Sequence, residues 1–221
     1  MESKQLSLHH LVQFPAPTQS QESNILYPTI LALHGRGSNE QDLIGLASHL
    51  PGGLFWISPR APFTLGPNSY EWFRVKIIGR PDPEQVASAL ETIDHFIDEI
   101  LTVYPIDPQK LFLLGFSQGS LLALCYALGH PARAAGVIAQ SGYIPRHVNL
   151  EINETDVKNT PFILTHGEQD AMIPIDWART SRDFLQKLGV YLSYYEFQMG
   201  HTVSMDSLEV ISTWLEKQLR Q

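Results

Sequence analysis

Ser117 stands in the run Gly115-Phe116-Ser117-Gln118-Gly119, a G-x-S-x-G pattern. A serine framed in this way can serve as the nucleophile of acyl transfer. A hydroxyl is a poor nucleophile until a base takes its proton, and the base needs a third group to orient it. In enzymes known to carry such a serine on a strand-to-helix turn, the partners follow along the chain in the order acid, then histidine. His147, His166 and His201 follow Ser117. His147 lies in a polar stretch with no strand before it and reads as a surface residue. His166 ends an apolar run but precedes the best acid, and reads as structural. His201 is left as the base. Asp156, Asp170, Asp176 and Asp183 lie between nucleophile and base. Asp156 falls in a polar segment, and Asp176 and Asp183 fall on an expected helix. Asp170 follows an apolar run by a short loop, with Glu168 as its near competitor, so the expected set is Ser117, Asp170 and His201.

The tetrahedral oxyanion of acyl transfer needs donors at fixed positions. One is expected from the backbone N–H of Gln118, the residue after the nucleophile. The other is expected from the loop His34-Gly35-Arg36-Gly37, through the N–H of Arg36. An ordinary glycine turn is the plainer reading of that loop taken alone.

Alternating strands and helices must position these residues. Residues 110–114 read as a buried strand leading into the serine, and 120–128 as an apolar helix closed by Gly129 and Pro131. Strands are also expected at 28–33, 54–57, 136–139, 161–165 and 190–197. Helices are expected at 40–50, 175–188 and 203–219, and residues 145–159 read as loop. A further helix opens with Asp82 as cap, Pro83 in the first turn and Gln85 as capping-box partner. Its stripe of Val86, Leu90, Ile93, Ile97, Ile100 and Leu101 is spaced to pack on a sheet. Residues 63–83, rich in Gly, Pro and aromatics, read as a functional loop. The alternation predicts an α/β fold: a mainly parallel sheet covered on both faces, with its site at the carboxyl ends of the strands.

The 221 residues suit one domain, 1–221, and 43% hydrophobic with 17% charged residues supply a substantial core. A net charge of -8 argues against a nucleic-acid partner, which would call for a basic stripe. The single cysteine, Cys125, excludes an internal disulfide and a cysteine-rich zinc site, and reads as a buried structural thiol. The first ten residues lack a signal-peptide core and no run is long enough to span a bilayer, so a cytoplasmic protein is expected. A monomer or weak homodimer is expected.

Four blocks together resemble the phospholipase/carboxylesterase family: Leu33-His34-Gly35-Arg36-Gly37, Gly115-Phe116-Ser117-Gln118-Gly119, His166-Gly167-Glu168-Gln169-Asp170 and Gly200-His201. Tyr70-Glu71-Trp72-Phe73 and Gly79-Arg80-Pro81-Asp82 also resemble it, and the likeness runs from residue 25 to residue 214. The resemblance implies an α/β-hydrolase fold without a large cap domain, and no metal or organic cofactor. It implies hydrolysis of carboxylic esters or thioesters. Arg36 departs from relatives, which often carry a small or apolar residue there; its cation could alter access or favour an anionic substrate. Met172 stands where an apolar pocket residue is expected.

Loop position and apolar character nominate Phe63, Leu65, Trp72, Phe73 and Met172 to hold the acyl group, in an open cleft suited to short or medium chains. Within hydrolases the rival readings are a thioesterase or lysophospholipase, a peptidase, and a dienelactone-type enzyme; the last would prefer cysteine at position 117. From another class, the chain could be a hydrolase-fold sensor that binds a ligand without turning it over.

Overall fold

A computed structural model describes residues 4–16 and 25–220; Met1 to Ser3 of the N-terminal reading above lie outside it. The strands are β1 (His10–Gln13), β2 (Tyr27–Leu33), β3 (Phe55–Pro59), β4 (Phe63–Gly66), β5 (Ser69–Glu71), β6 (Ile106–Phe116), β7 (Gly136–Gln140), β8 (Pro161–Gly167) and β9 (Tyr191–Phe197). The α-helices are α1 (Pro83–Val103), α2 (Gln118–Gly129), α3 (Ile175–Leu188) and α4 (Met205–Leu219). Seven strands form one sheet in the order β1-β3-β2-β6-β7-β8-β9. β1 runs antiparallel to β3, and every other pairing in that sheet is parallel.

The apolar runs of β2 and β6 follow from burial on both faces. Successive side chains of a strand point to opposite faces. Leu111 and Leu113 accordingly enter the core under α1, α2 and α3, with Val86, Phe96, Leu121 and Leu185. Phe112 and Leu114 enter the other core, with Ile211, Trp214 and Leu215 of α4. α2 is buried from Gln118 to Leu128, which accounts for its lack of a polar face.

Several expectations are corrected. The helix expected at 40–50 is a 3₁₀ segment, Leu43–His49, with no side-chain cap. Asn39 instead accepts from the N–H of Gln41 at 2.9 Å and donates to the Asn68 carbonyl, and such local bonds compete with a helix start. Residues 63–83 are not all loop: β4 and β5 form a hairpin there, which its glycine and proline content obscured. β1 was not anticipated; it is a four-residue strand whose alternation is too brief to read. Asp82 does cap α1, accepting from Glu84 N at 3.0 Å. Gln85 does not complete a capping box but accepts from the backbone N–H of Arg74 at 2.9 Å, tying the loop after β5 to α1.

Candidate active site

β6 delivers Ser117 and α2 departs from it. The turn holds Ser117 at φ 53°, ψ -112°, a conformation L-residues rarely adopt. Its glycines permit close backbone approach. A Cβ on Gly119 would lie 1.9 Å from the Leu33 carbonyl oxygen, and one on Gly115 would lie 2.4 Å from the Gly119 oxygen. The helix can therefore start against β2 only because both positions are glycine.

Three side chains distant in sequence meet here. The Ser117 hydroxyl lies 2.9 Å from His201 Nε2, and His201 Nδ1 lies 2.7 Å from Asp170 Oδ2. A carboxylate only accepts, so His201 carries its proton on Nδ1 and Nε2 is free to accept from the serine. The other oxygen of Asp170 accepts from the N–H groups of Met172 and Ile173, both at 2.8 Å. The acid is thus fully committed and its side chain is sealed from solvent. Glu168 points elsewhere and is bonded by Gln198. Asp176 and Asp183 sit on α3 beside Arg179 and Arg182, and Asp156 accepts from Asn153.

His166 is buried one turn of chain below the acid. Its Nε2–H donates to the Ile173 carbonyl at 2.9 Å and lies 3.5 Å from Asp170 Oδ2. Burial pushes its pKa below the ordinary histidine value, against the pull of the Ile173 carbonyl and of Asp170. The ring fastens the turn that presents Asp170. His147 is exposed and its Nε2 lies 2.7 Å from the Pro81 carbonyl.

The loop after β2 lies directly against the nucleophile. A Cβ on Gly35 would touch the Phe116 ring at 3.0 Å and Ser117 Cβ at 3.4 Å. The neighbouring turn is held by the N–H of Gly37 on the Tyr70 carbonyl at 2.7 Å. Buried His34 donates from Nδ1 to the Gly35 carbonyl at 2.7 Å and accepts at Nε2 from Ala61 N at 3.0 Å. Burial lowers its pKa and keeps it neutral in that tautomer. Gln118 opens α2, so its backbone N–H has no partner within the helix. The Arg36 side chain is not a loose cation: Nε donates to buried Glu71 at 2.8 Å.

A cleft of about 170 Å³ opens beside Ser117 and His201. Phe73 and Met172 line it, as the sequence suggested, and so does Arg36. Phe63 and Leu65 do not: they stand exposed on the β4–β5 hairpin. Trp72 does not either. It is buried, with its indole N–H on the His34 carbonyl at 2.9 Å, and supports the loop from behind. Sequence reasoning missed Val75, Ile77, Ile78, Leu121, Tyr143 and Ile173. Ile77 and Ile78 were apolar residues in the loop already singled out; Tyr143 carried no such signal. A larger groove of about 860 Å³ between β9 and α4 contains none of these residues.

Among the described residues no helix is long and apolar enough to cross a membrane.

Comparison with known proteins agrees with this architecture. The acyl-protein thioesterase 1 of Kluyveromyces lactis is 29% identical over 211 residues, 86% of this chain and 92% of that protein. The carboxylesterase SOBER1 of Arabidopsis thaliana is 28% identical over 208 residues, 86% of this chain and 90% of that protein. The crystal structure of the Bacillus cereus carboxylesterase superposes with a TM-score of 0.82 at 21% identity, covering 96% of this chain and 95% of that one. The fold is the α/β-hydrolase fold, with no large cap domain among the described residues. A model of the family described as phospholipase/carboxylesterase matches residues 19–219, and the chain belongs to that family.

Proposed function

We propose that the protein is a serine hydrolase that cleaves carboxylic esters or thioesters through an acyl-enzyme, with Ser117 as nucleophile, His201 as base and Asp170 as orienting acid. The observation that carries this reading is the unbroken chain of contacts from Ser117 Oγ through His201 to Asp170, at 2.9 and 2.7 Å. Ser117 attacks the carbonyl carbon while its proton passes to His201 Nε2. Asp170 fixes the tautomer and stabilises the imidazolium. The tetrahedral oxyanion is held by the backbone N–H groups of Arg36 and Gln118, each worth about 2.7–4 kcal/mol of barrier. Collapse expels the alcohol or thiol, protonated by His201, and leaves the acyl group on Ser117. Water, deprotonated by the same imidazole, reverses the sequence and releases the acid.

The acyl group rests on Phe73, Met172 and the apolar residues between positions 75 and 78. The small volume of the cleft favours short to medium chains. The test is a panel of p-nitrophenyl esters and matched thioesters, graded in acyl length, against wild type and Ser117→Ala. The reading expects Ser117-dependent turnover that is best on short or medium acyl groups. High turnover confined to long-chain esters would overturn the assignment of chain length. Folded protein with no Ser117-dependent turnover would favour a ligand sensor.

A further inference from the structure

The arginines of this acidic chain divide into two groups. Arg36, Arg60, Arg133, Arg179, Arg182 and Arg220 each hold a carboxylate between 2.5 and 3.7 Å. Arg74, Arg80 and Arg146 hold none among the described residues, and all three are exposed beside the cleft. Arg80 and Arg146 line a depression of about 480 Å³ together with Gly79, Tyr143, His147 and Trp177. Gly79 and Tyr143 also line the cleft that holds Ser117, so the two spaces share a wall. No carboxylate lines this depression. Arg74 and Arg80 also line a neighbouring depression with Asp82 and Glu84, where Asp82 is engaged as the cap of α1 and neither carboxylate bonds an arginine among the described residues. Asp183, on the far side of Arg146, is bonded to Arg182. The tip of His147 bonds the Pro81 carbonyl and fastens the segment that carries Arg80. The rings of Tyr143 and Trp177, 5.0 Å apart, both line this depression, and Tyr143 lines the cleft as well.

In a chain of net charge -8, cations left without carboxylates and gathered at one rim form a local positive field. Guanidinium groups match carboxylate and phosphate oxygens in geometry as well as in charge. We propose that the depression between Arg80 and Arg146 binds an anionic oxygen group of the substrate, a carboxylate or phosphate, while the ester bond of the same molecule lies at Ser117. This rests on the hydrolase reading above and adds a substrate class to it: esters that carry a negative charge. Arg80 and Arg146 then determine specificity and take no part in bond breaking.

The experiment compares kcat/KM on charged esters with kcat/KM on their uncharged parents. Mono(4-nitrophenyl) glutarate places a carboxylate in the acid half, with 4-nitrophenyl butanoate as its parent. 4-(Butanoyloxy)benzoate and 4-(butanoyloxy)phenyl phosphate place the two anions in the alcohol half, with phenyl butanoate as theirs. For at least one charged ester the ratio to its parent is expected to exceed one in wild type. It should fall about tenfold in R80Q/R146Q and by a smaller factor in each single variant. In wild type the same ratio should fall as salt is raised to about 0.5 M, a test that needs no variant. The ester that responds identifies the half and the anion. Turnover of all the esters at ratios indifferent to salt and to both substitutions would overturn this inference alone. Absence of Ser117-dependent turnover on every ester would remove the hydrolase reading, and this inference with it.

Discussion

Gln118 grips the segment around Trp72 from beside the nucleophile: its Oε1 accepts from the Trp72 N–H at 2.8 Å, and its Nε2 donates to the Phe73 carbonyl at 2.8 Å. One residue thus has two parts with separate duties. Its main chain lies at the proposed oxyanion position, and its side chain holds a wall of the cleft. Gln118→Ala keeps the main-chain N–H but leaves a buried N–H and C=O unpaired, each costing about 1–3 kcal/mol. A lower urea midpoint and a lower kcat/KM are expected together. An unchanged midpoint would show that the clamp does not bear on stability.

Gly119 tests the elbow itself. A methyl group there meets backbone rather than a side chain able to swing away, at 1.9 Å from the Leu33 oxygen and 2.8 Å from the His34 oxygen. Gly119→Ala is expected to destabilise the fold by about 3 kcal/mol or more and to displace the loop bearing Arg36. Thermal unfolding and ester turnover read the two effects. A variant as stable and as active as wild type would contradict the packing described.

Asp170→Asn separates orientation from packing. The amide oxygen can still accept from Met172 and Ile173. The amide N–H then faces His201 and forces the imidazole into the tautomer that cannot take the serine proton. A fall in kcat of about 10⁴-fold with little change in melting temperature is expected. A fall below about tenfold would argue that Asp170 does not set the tautomer.

Stability should depend on pH through buried imidazoles. His10, His34 and His166 all have their pKa lowered, chiefly by burial. Each holds a proton less readily folded than unfolded, so the unfolded chain binds more protons below about 6.5. Their contribution is complete above that value and is lost as pH falls through it toward the depressed folded values. The urea midpoint should therefore drop between pH 7.5 and pH 5.5, and drop less in a His34→Gln variant. A flat profile across that window would contradict the buried neutral state.

The parts of this molecule that were legible in sequence are those written in local pattern. The helix expected at 175–188 is α3, Ile175–Leu188, because an amphipathic helix repeats its signal over several turns. The elbow was legible because glycine at 115 and 119 is demanded by backbone contact. The cleft was not, because its walls come from segments that only the completed sheet brings together. Tyr143 reaches it from the turn after β7, and Leu121 from the buried face of α2. Phe63, Leu65 and Trp72 looked like pocket residues for their apolar size, yet the hairpin turns the first two outward and the His34 carbonyl claims the indole of the third. Arg36 looked like a free cation until Glu71, thirty-five positions away in the chain, proved to be its partner.

Mass spectrometry of the protein treated with a fluorophosphonate tests the central claim most directly. One adduct per chain, located on Ser117, is expected in wild type, none in Ser117→Ala, and labelling slowed by orders of magnitude in His201→Ala. Folded wild-type protein that takes up no label, or His201→Ala labelled at the wild-type rate, would contradict the account.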